Sequence, residues 1–190
     1  NGYGTASPDT RLELNFYTGR VEVDGKYVTL DDGTPLQYMP LVVEQNLTAS
    51  KYIETAGARM KKYEVDRTAY SDGRMPDNDI VLYRYADVLL MKAEAKVRNG
   101  ESGDEQLNAV RSRVGMPSLA ATLANILDER LLELVWEGWR RQDMIRFGTY
   151  CAPYDIHTPS AADKKRYTIV FPIPEKAREL NPNLAQNPGY

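Results

Sequence analysis

The chain has 190 residues, of which 42% are hydrophobic and 27% charged, and its formal charge at pH 7 is −3. This is globular composition, long enough to bury a core, and without a basic block it excludes a nucleic-acid footprint. No apolar run approaches the roughly 18 residues that a membrane-spanning helix needs, and the lone Cys151 excludes an internal disulfide.

The chain opens on Asn1-Gly2-Tyr3-Gly4, with neither an initiator Met nor a signal segment, as expected of a processed chain or a piece of a longer one. Residues 1–20 are rich in Gly, Ser, Pro and Thr and read as loose. Val21 to Leu30 alternates β-formers about Asp24-Gly25, a favoured two-residue turn, and predicts a β-hairpin. Asp31-Asp32-Gly33-Thr34-Pro35 closes it with turn chemistry. Residues 36–80 show no period, carry the turn clusters Ser71-Asp72-Gly73 and Met75 to Asp79, and read as a loop-rich segment over a helical body.

The character changes at Ile80. Leu82, Tyr85, Ala86, Leu89, Ala93 and Val97 keep the helical period up to Asn99-Gly100, a C-terminal stop. A second helix is marked by Leu107, Val110 and Val114 and closes at Gly115-Met116-Pro117. Ala86, Ala93 and Ala95 allow close approach, and the pair reads as one tetratricopeptide-type unit. A solenoid needs about three such units to be stable, which points to further chain. Asn125 or Thr122 caps the next helix. From Ile126 to Gly148 apolar residues recur at Leu127, Leu131, Leu134, Val135 and Trp139, and predict one continuous core helix. Tyr150 to Pro159 reads as a loop, Tyr167 to Phe171 as a short strand or extended crossing. The Pro- and Asn-rich end from Phe171 to Tyr190 should lie extended without a helix.

The chemistry this sequence carries is sparse. Glu129, Glu133, Glu137 and Asp143 share a predicted helix, but Arg130, Arg140, Arg141 and Arg146 stand at helical spacing, which favours a salt-bridge network over a catalytic carboxylate pair. One His and one Cys make no zinc constellation. The acidic turns at Asp31-Asp32 and Asp72 to Asp79 lack EF-hand spacing and read as solvated turns, leaving calcium open. His157 has no nucleophile motif about it, and Gly100 to Gly103 lacks the Lys-Ser/Thr ending of a phosphate loop. Nothing calls for a cofactor. The 13 tyrosines against 3 phenylalanines are the oddity: an apolar ring with a polar tip suits carbohydrate or peptide surfaces, and half-buried packing equally.

Three ordered blocks together resemble the SusD/RagB family of bacterial outer-membrane nutrient-binding lipoproteins. The first is Tyr83-Arg84-Tyr85-Ala86-Asp87-Val88-Leu89-Leu90-Met91-Lys92-Ala93-Glu94-Ala95 with Asn108-Ala109-Val110-Arg111-Ser112-Arg113-Val114-Gly115. The second runs from Ile126-Leu127-Asp128-Glu129-Arg130 through Glu137-Gly138 to Arg146-Phe147-Gly148. The third is Phe171-Pro172-Ile173-Pro174 with Asn181-Pro182-Asn183-Leu184 and Gln186-Asn187-Pro188-Gly189-Tyr190. Many members carry an aromatic pair after the arginine that follows Glu-Gly, where this chain has Arg141-Gln142 and a Trp one place earlier, Trp139.

The resemblance implies a mainly α fold of tetratricopeptide-like helix pairs with long loop excursions and, here, a small β-hairpin. It divides the chain into a loop-rich segment, 1–79, and a C-terminal helical region, 80–190. It implies a non-enzymatic cell-surface protein of the outer membrane, lipid-anchored through a segment absent from this chain. Such a protein holds a glycan for a SusC-type TonB-dependent transporter. A peptide ligand, or a scaffold role with no ligand, are the alternatives. Because the family's ligand contacts lie in loops without a motif, loop position and residue type nominate Tyr17, Tyr27, Tyr38 and Tyr52. Trp136 and Trp139 fall on the predicted core helix and are not assigned to ligand.

Overall fold

The computed structural model describes residues 8–42, 46–63, 65–71, 73, 75–154 and 157–190. The chain forms two compact units, Asn1–Glu137 and Gly138–Tyr190.

The first unit is built on three helices: α2 (Tyr85–Arg98), α3 (Asp104–Arg113) and α4 (Leu123–Glu133). α2 packs against both of the others, and α3 against α4. Leu90 and Ala93 of α2, Leu107 and Val110 of α3, Val114 just beyond it, and Ile126 and Leu127 of α4 form the buried core. The helical hairpin α2–α3 is the expected tetratricopeptide-like pair, stopped at Asn99 as its sequence predicts. Its tightest point is Gly103, where a Cβ would stand 2.7 Å from the Ala93 carbonyl oxygen. Ala93 is therefore the alanine that serves the contact, whereas Ala95 is exposed. Thr122 caps α4, its side chain accepting from the Asn125 amide at 3.1 Å. α2 starts at Tyr85, not at Ile80, and Ile80 and Leu82 lie in an exposed, non-helical approach to it.

Preceding the helices is a segment of short antiparallel strand pairs. Residues 8–20 are ordered, contrary to the loose reading (its residues 1–7 lie outside the described residues). Arg11–Asn15 forms a short helix, α1, leading into β1 (Phe16–Tyr17) and β2 (Gly19–Arg20). The reason is burial: Asp9, Arg11 and Asn15 are all buried, and the Thr10 amide donates to the Val114 carbonyl at 3.2 Å. The predicted hairpin is present as β3 (Glu22–Val23) and β4 (Lys26–Tyr27), with Glu22 opposite Tyr27. Its Asp24-Gly25 turn has φ of 50° and 75°, the doubly left-handed turn whose twist suits a hairpin. β2 pairs with β5 (Gln37–Tyr38), and β1 with β6 (Arg59–Met60).

The expected continuous helix from Ile126 to Gly148 does not form. α4 ends at Glu133, the next helix, α5, runs Arg140–Arg146, and residues 134–139 are not helical. Trp136 has φ 62° and Gly138 φ 80°, neither compatible with a right-handed helix. The physical cause is competition for the carbonyls at the end of α4. Lys62 Nζ donates to the Glu133 and Val135 carbonyls at 2.6 and 3.2 Å, and Arg84 Nη2 donates to the Glu133 carbonyl. Carbonyls engaged by side chains leave no place for the next helical amides.

Within the second unit, α5 is followed by α6 (Ala161–Lys164), a 3-10 turn at Tyr167–Ile169, and α7 (Glu175–Leu180). The turn stands in place of the short strand or extended crossing expected at Tyr167 to Phe171, and α7 replaces part of the expected extended tail. Local hydrogen bonding holds the turn: Ser160 and Asp163 form a capping box at α6, and Thr168 donates to Asp163 at 3.0 Å. The end of the chain is fastened to residues 167–173. The Gln186 side chain accepts from the Ile173 amide and donates to its carbonyl, Asn187 donates to the Phe171 carbonyl, and Tyr190 donates to the Val170 carbonyl.

Candidate ligand-binding surface

Pairing of β1 with β6 sets Tyr17 opposite Arg59 and holds it on the wall of a cleft of about 490 Å3. Glu13, Phe16, Arg20, Glu22 and Lys61 line the cleft with it. Lys61 is positioned from both ends: its amide donates to the Asn15 carbonyl at 2.8 Å, and its Nζ to the Glu13 carbonyl at 3.1 Å. That places the ammonium 5.5 Å from the centre of the Tyr17 ring. An aromatic wall with acids and cations around it can stack an apolar ring face while accepting and donating hydrogen bonds.

The other nominated tyrosines do not line this cleft. Tyr27 lies in β4 with the Arg20 guanidinium 5.0 Å over its ring, and Tyr38 lies in β5 with that of Arg59 at 4.6 Å. Tyr52 carries the Lys51 ammonium at 4.9 Å. Arg20 thus belongs to the cleft and to Tyr27, and Arg59 faces Tyr17 in register and covers Tyr38. Each nominated tyrosine has a cation over one ring face, a contact worth about 0.5–1 kcal/mol when exposed. Tyr17 and Tyr27 remain 40% and 57% exposed.

Behind this surface lies a buried ion network. Arg11 donates to Asp9, to Glu129 at 2.7 Å and to Glu133 at 2.9 Å. Arg111 takes the second oxygen of Glu129 at 2.7 Å, and Arg113 and Arg84 bind Glu133. Lys62 and Arg84 together hold Glu137. The network expected from sequence is present, but these partners come from distant segments and not from α4 itself. Arg130 likewise pairs with Asp87 of α2 at 2.7 Å. Helical spacing supplies a partner for Asp143, which binds Arg146 at 2.9 Å, and for Glu94, which binds Arg98 at 2.8 Å.

The electrostatics argue against a general-acid role for Glu137. Burial pushes Glu137 upward, but hydrogen bonds and charge from Arg84 and Lys62 outweigh it and hold the carboxyl below its ordinary range. Burial dominates at Lys62 and lowers it against the pull of Glu137, and the neighbouring Arg84 charge adds to the lowering. For Arg11 burial again opposes the charge, and Asp9 and Glu129 overcome it, raising the guanidinium. A general acid must be held protonated near its working pH, and Glu137 is driven the other way. Among the described residues, no group of three or more His, Cys, Asp or Glu is arranged to hold a metal ion. Asp32 and Asp66 instead accept backbone amides of Thr34 and Thr68 in turns.

Sequence reasoning passed over Trp136. A continuous helix would have placed it on the core helix, whereas the break leaves it 44% exposed, with Phe16 tilted against it at a ring separation of 4.9 Å. A left-handed conformation in a residue this bulky costs about 1–2 kcal/mol. The signal available in advance was the two cations Lys62 and Arg84, but nothing local shows that they reach α4.

Comparison with known proteins gives concordant results. A family model described as the SusD family matches residues 43–190. The starch-binding protein SusD of Bacteroides thetaiotaomicron is 30% identical over 139 residues, covering 70% of this chain and 25% of that protein. A SusD-like protein of Formosa agariphila is 31% identical over 130 residues, again covering 25% of the relative. The chain therefore spans about a quarter of the length of these relatives. Among solved structures, the surface glycan-binding protein A of Bacteroides uniformis superposes with a TM-score of 0.65 at 24% identity, covering 96% of this chain and 38% of that one. NanU of B. fragilis gives a TM-score of 0.55 at 23% identity, covering 100% and 37%. These two likenesses show the fold: mainly helical, with helix pairs and small strand excursions. By the extent of the family match and the order of its motifs, this chain belongs to the SusD family, a family of binding proteins and not of enzymes.

Proposed function

We propose that this chain is part of a glycan-binding component of an outer-membrane uptake system. It captures oligosaccharide at the cell surface for a SusC-type TonB-dependent transporter, and the whole protein is held to the membrane by a lipid anchor. Residues 80–190 serve as the helical region and 1–79 carry the ligand-facing tyrosines, with Tyr17 central and Tyr27, Tyr38 and Tyr52 contributing further aromatic contacts. The observation that carries this reading is the alignment through 139 residues with a relative named for binding starch. The cleft at Tyr17 supports it, because a pyranose has one apolar face and a rim of hydroxyls, and this cleft offers an aromatic wall among charged groups.

Calorimetric titration against a panel of polysaccharides and peptides tests the proposal, with each ligand recovered and checked for cleavage. Saturable binding of an intact saccharide, weakened about tenfold by Tyr17→Ala, is the expected result. Binding of peptides alone would replace glycan with peptide. Cleavage would overturn a non-catalytic role, and silence across the panel would leave a scaffold.

A further inference from the structure

A second cavity, of about 280 Å3, lies at the end of α4 and is lined by Tyr63, Asn78, Asp79, Ile80, Val81, Trp136 and Glu137. None of the nominated tyrosines lines it, so it is a site separate from the Tyr17 cleft.

Its construction centres on one residue. Two residues past the α4 cap Leu134, Trp136 holds a left-handed backbone of the kind that glycine ordinarily takes. That conformation is fixed from both sides. Lys62 binds the carbonyls of Glu133 and Val135, and the carboxylate of Glu137 is gripped by Lys62 and Arg84. Buried ion pairs thus immobilise a strained residue whose indole is left half in solvent. Strain sustained by its surroundings is a feature of ligand sites. The walls suit one class of ligand. The indole, Ile80 and Val81 offer apolar surface, while Asn78 and Asp79 place an amide and a carboxylate beside it. The Asp79 carboxylate accepts hydroxyl hydrogen bonds and repels an anion.

We infer that the Trp136 cavity is a second saccharide subsite, which stacks one neutral pyranose ring on the indole and directs its hydroxyls to Asn78 and Asp79. The ligand class rests on the glycan reading above, and the position does not.

The test is tryptophan emission of the unsubstituted protein, titrated with maltoheptaose, laminariheptaose and a neutral manno-oligosaccharide, and with an oligogalacturonide. Calorimetry runs on the same samples, and the series is repeated in Trp139→Phe and in Trp136→Phe, so that the emission change is assigned to Trp136 by difference. The expected result is a saturable emission change with at least one neutral oligosaccharide and none with the oligogalacturonide. Trp136→Phe should then weaken calorimetric binding by about tenfold. Asp79→Asn lies outside the ion network, should weaken binding several-fold, and decides the question if Trp136→Phe does not fold. Heat of binding with unchanged Trp136 emission would overturn the inference while leaving the Tyr17 reading standing. An equal response to the oligogalacturonide would overturn the ligand class. Neither heat nor emission change with any saccharide would overturn the inference and the glycan reading together.

Discussion

Arg11 and Glu129 are 118 positions apart in the chain, yet the Arg11 guanidinium donates to the Glu129 carboxylate at 2.7 Å with both side chains buried. The same guanidinium reaches Glu133 through Nη1 and Asp9 through Nε and Nη2, so its whole fork is engaged. This contact binds the segment before the Tyr17 cleft to α4, and it is why residues that read as loose are ordered. Removing the cation strands carboxylates in the interior, which costs about 3–5 kcal/mol. Arg11→Ala should lower unfolding stability by that amount in urea denaturation. Arg11→Lys should recover little of it, because an ammonium cannot reproduce the planar fork.

Gly103 is set by space. A Cβ there meets the Ala93 carbonyl oxygen at 2.7 Å and its Cα at 3.0 Å, backbone atoms that cannot swing aside. Gly103→Ala should therefore part the α2–α3 hairpin and cost about 1–3 kcal/mol, the usual penalty for overpacking. A thermal melt followed by far-ultraviolet circular dichroism would register it as a lowered midpoint, and an unchanged midpoint would refute the close contact.

Glu137 makes the stability of the first unit pH-dependent on the acid side. Its folded-state pKa lies below the ordinary value of 4.5, so as pH falls the unfolded chain takes up the proton first. The stabilising contribution is whole above that ordinary value and is lost as pH falls through the depressed folded value. Glu137→Gln should flatten this acid limb when unfolding free energy is plotted against pH. An acid limb of equal slope in the variant would assign the dependence to other carboxylates.

In the second unit, Arg141 is placed between two rings. Its guanidinium lies 4.1 Å from the centre of Phe171 and 5.1 Å from that of Tyr150, while Nη2 donates to the Thr168 and Ile169 carbonyls. Lysine offers neither the flat cation nor the paired geometry. Arg141→Lys should cost about 1–3 kcal/mol and speed amide exchange in residues 167–173 ahead of α5. Uniform protection across the unit would contradict this role.

The elements legible from sequence share one property: their determinants are local. Asn99-Gly100 stops α2, Thr122 caps α4, and Asp24-Gly25 turns the hairpin, each through bonds and backbone preferences that span a few residues. The helical stripe of Leu107, Val110 and Val114 predicts burial that the structure shows. The motifs of the α2–α3 pair and of the α4 segment carried the family assignment for the same reason. The four nominated tyrosines were chosen by residue type and loop position, and that information could not say that Tyr17 alone of them lines the 490 Å3 cleft. Strand pairing, which sets Tyr17 opposite Arg59, decides it.

By itself, then, the sequence determined the helix pair, the hairpin, the charge-rich character of the α4 segment and the family. Tertiary structure alone decided which charges meet, where the helix after Ile126 breaks, and that Trp136 faces solvent. Periodicity reports a helix wherever side chains repeat at its spacing, and it carries no record of distant groups competing for the backbone. Lys62 and Arg84, far from Glu133 in the chain, take its carbonyl and end α4 there. Once those cations are seated, the next residues cannot continue the helical ladder, and the chain turns through Trp136.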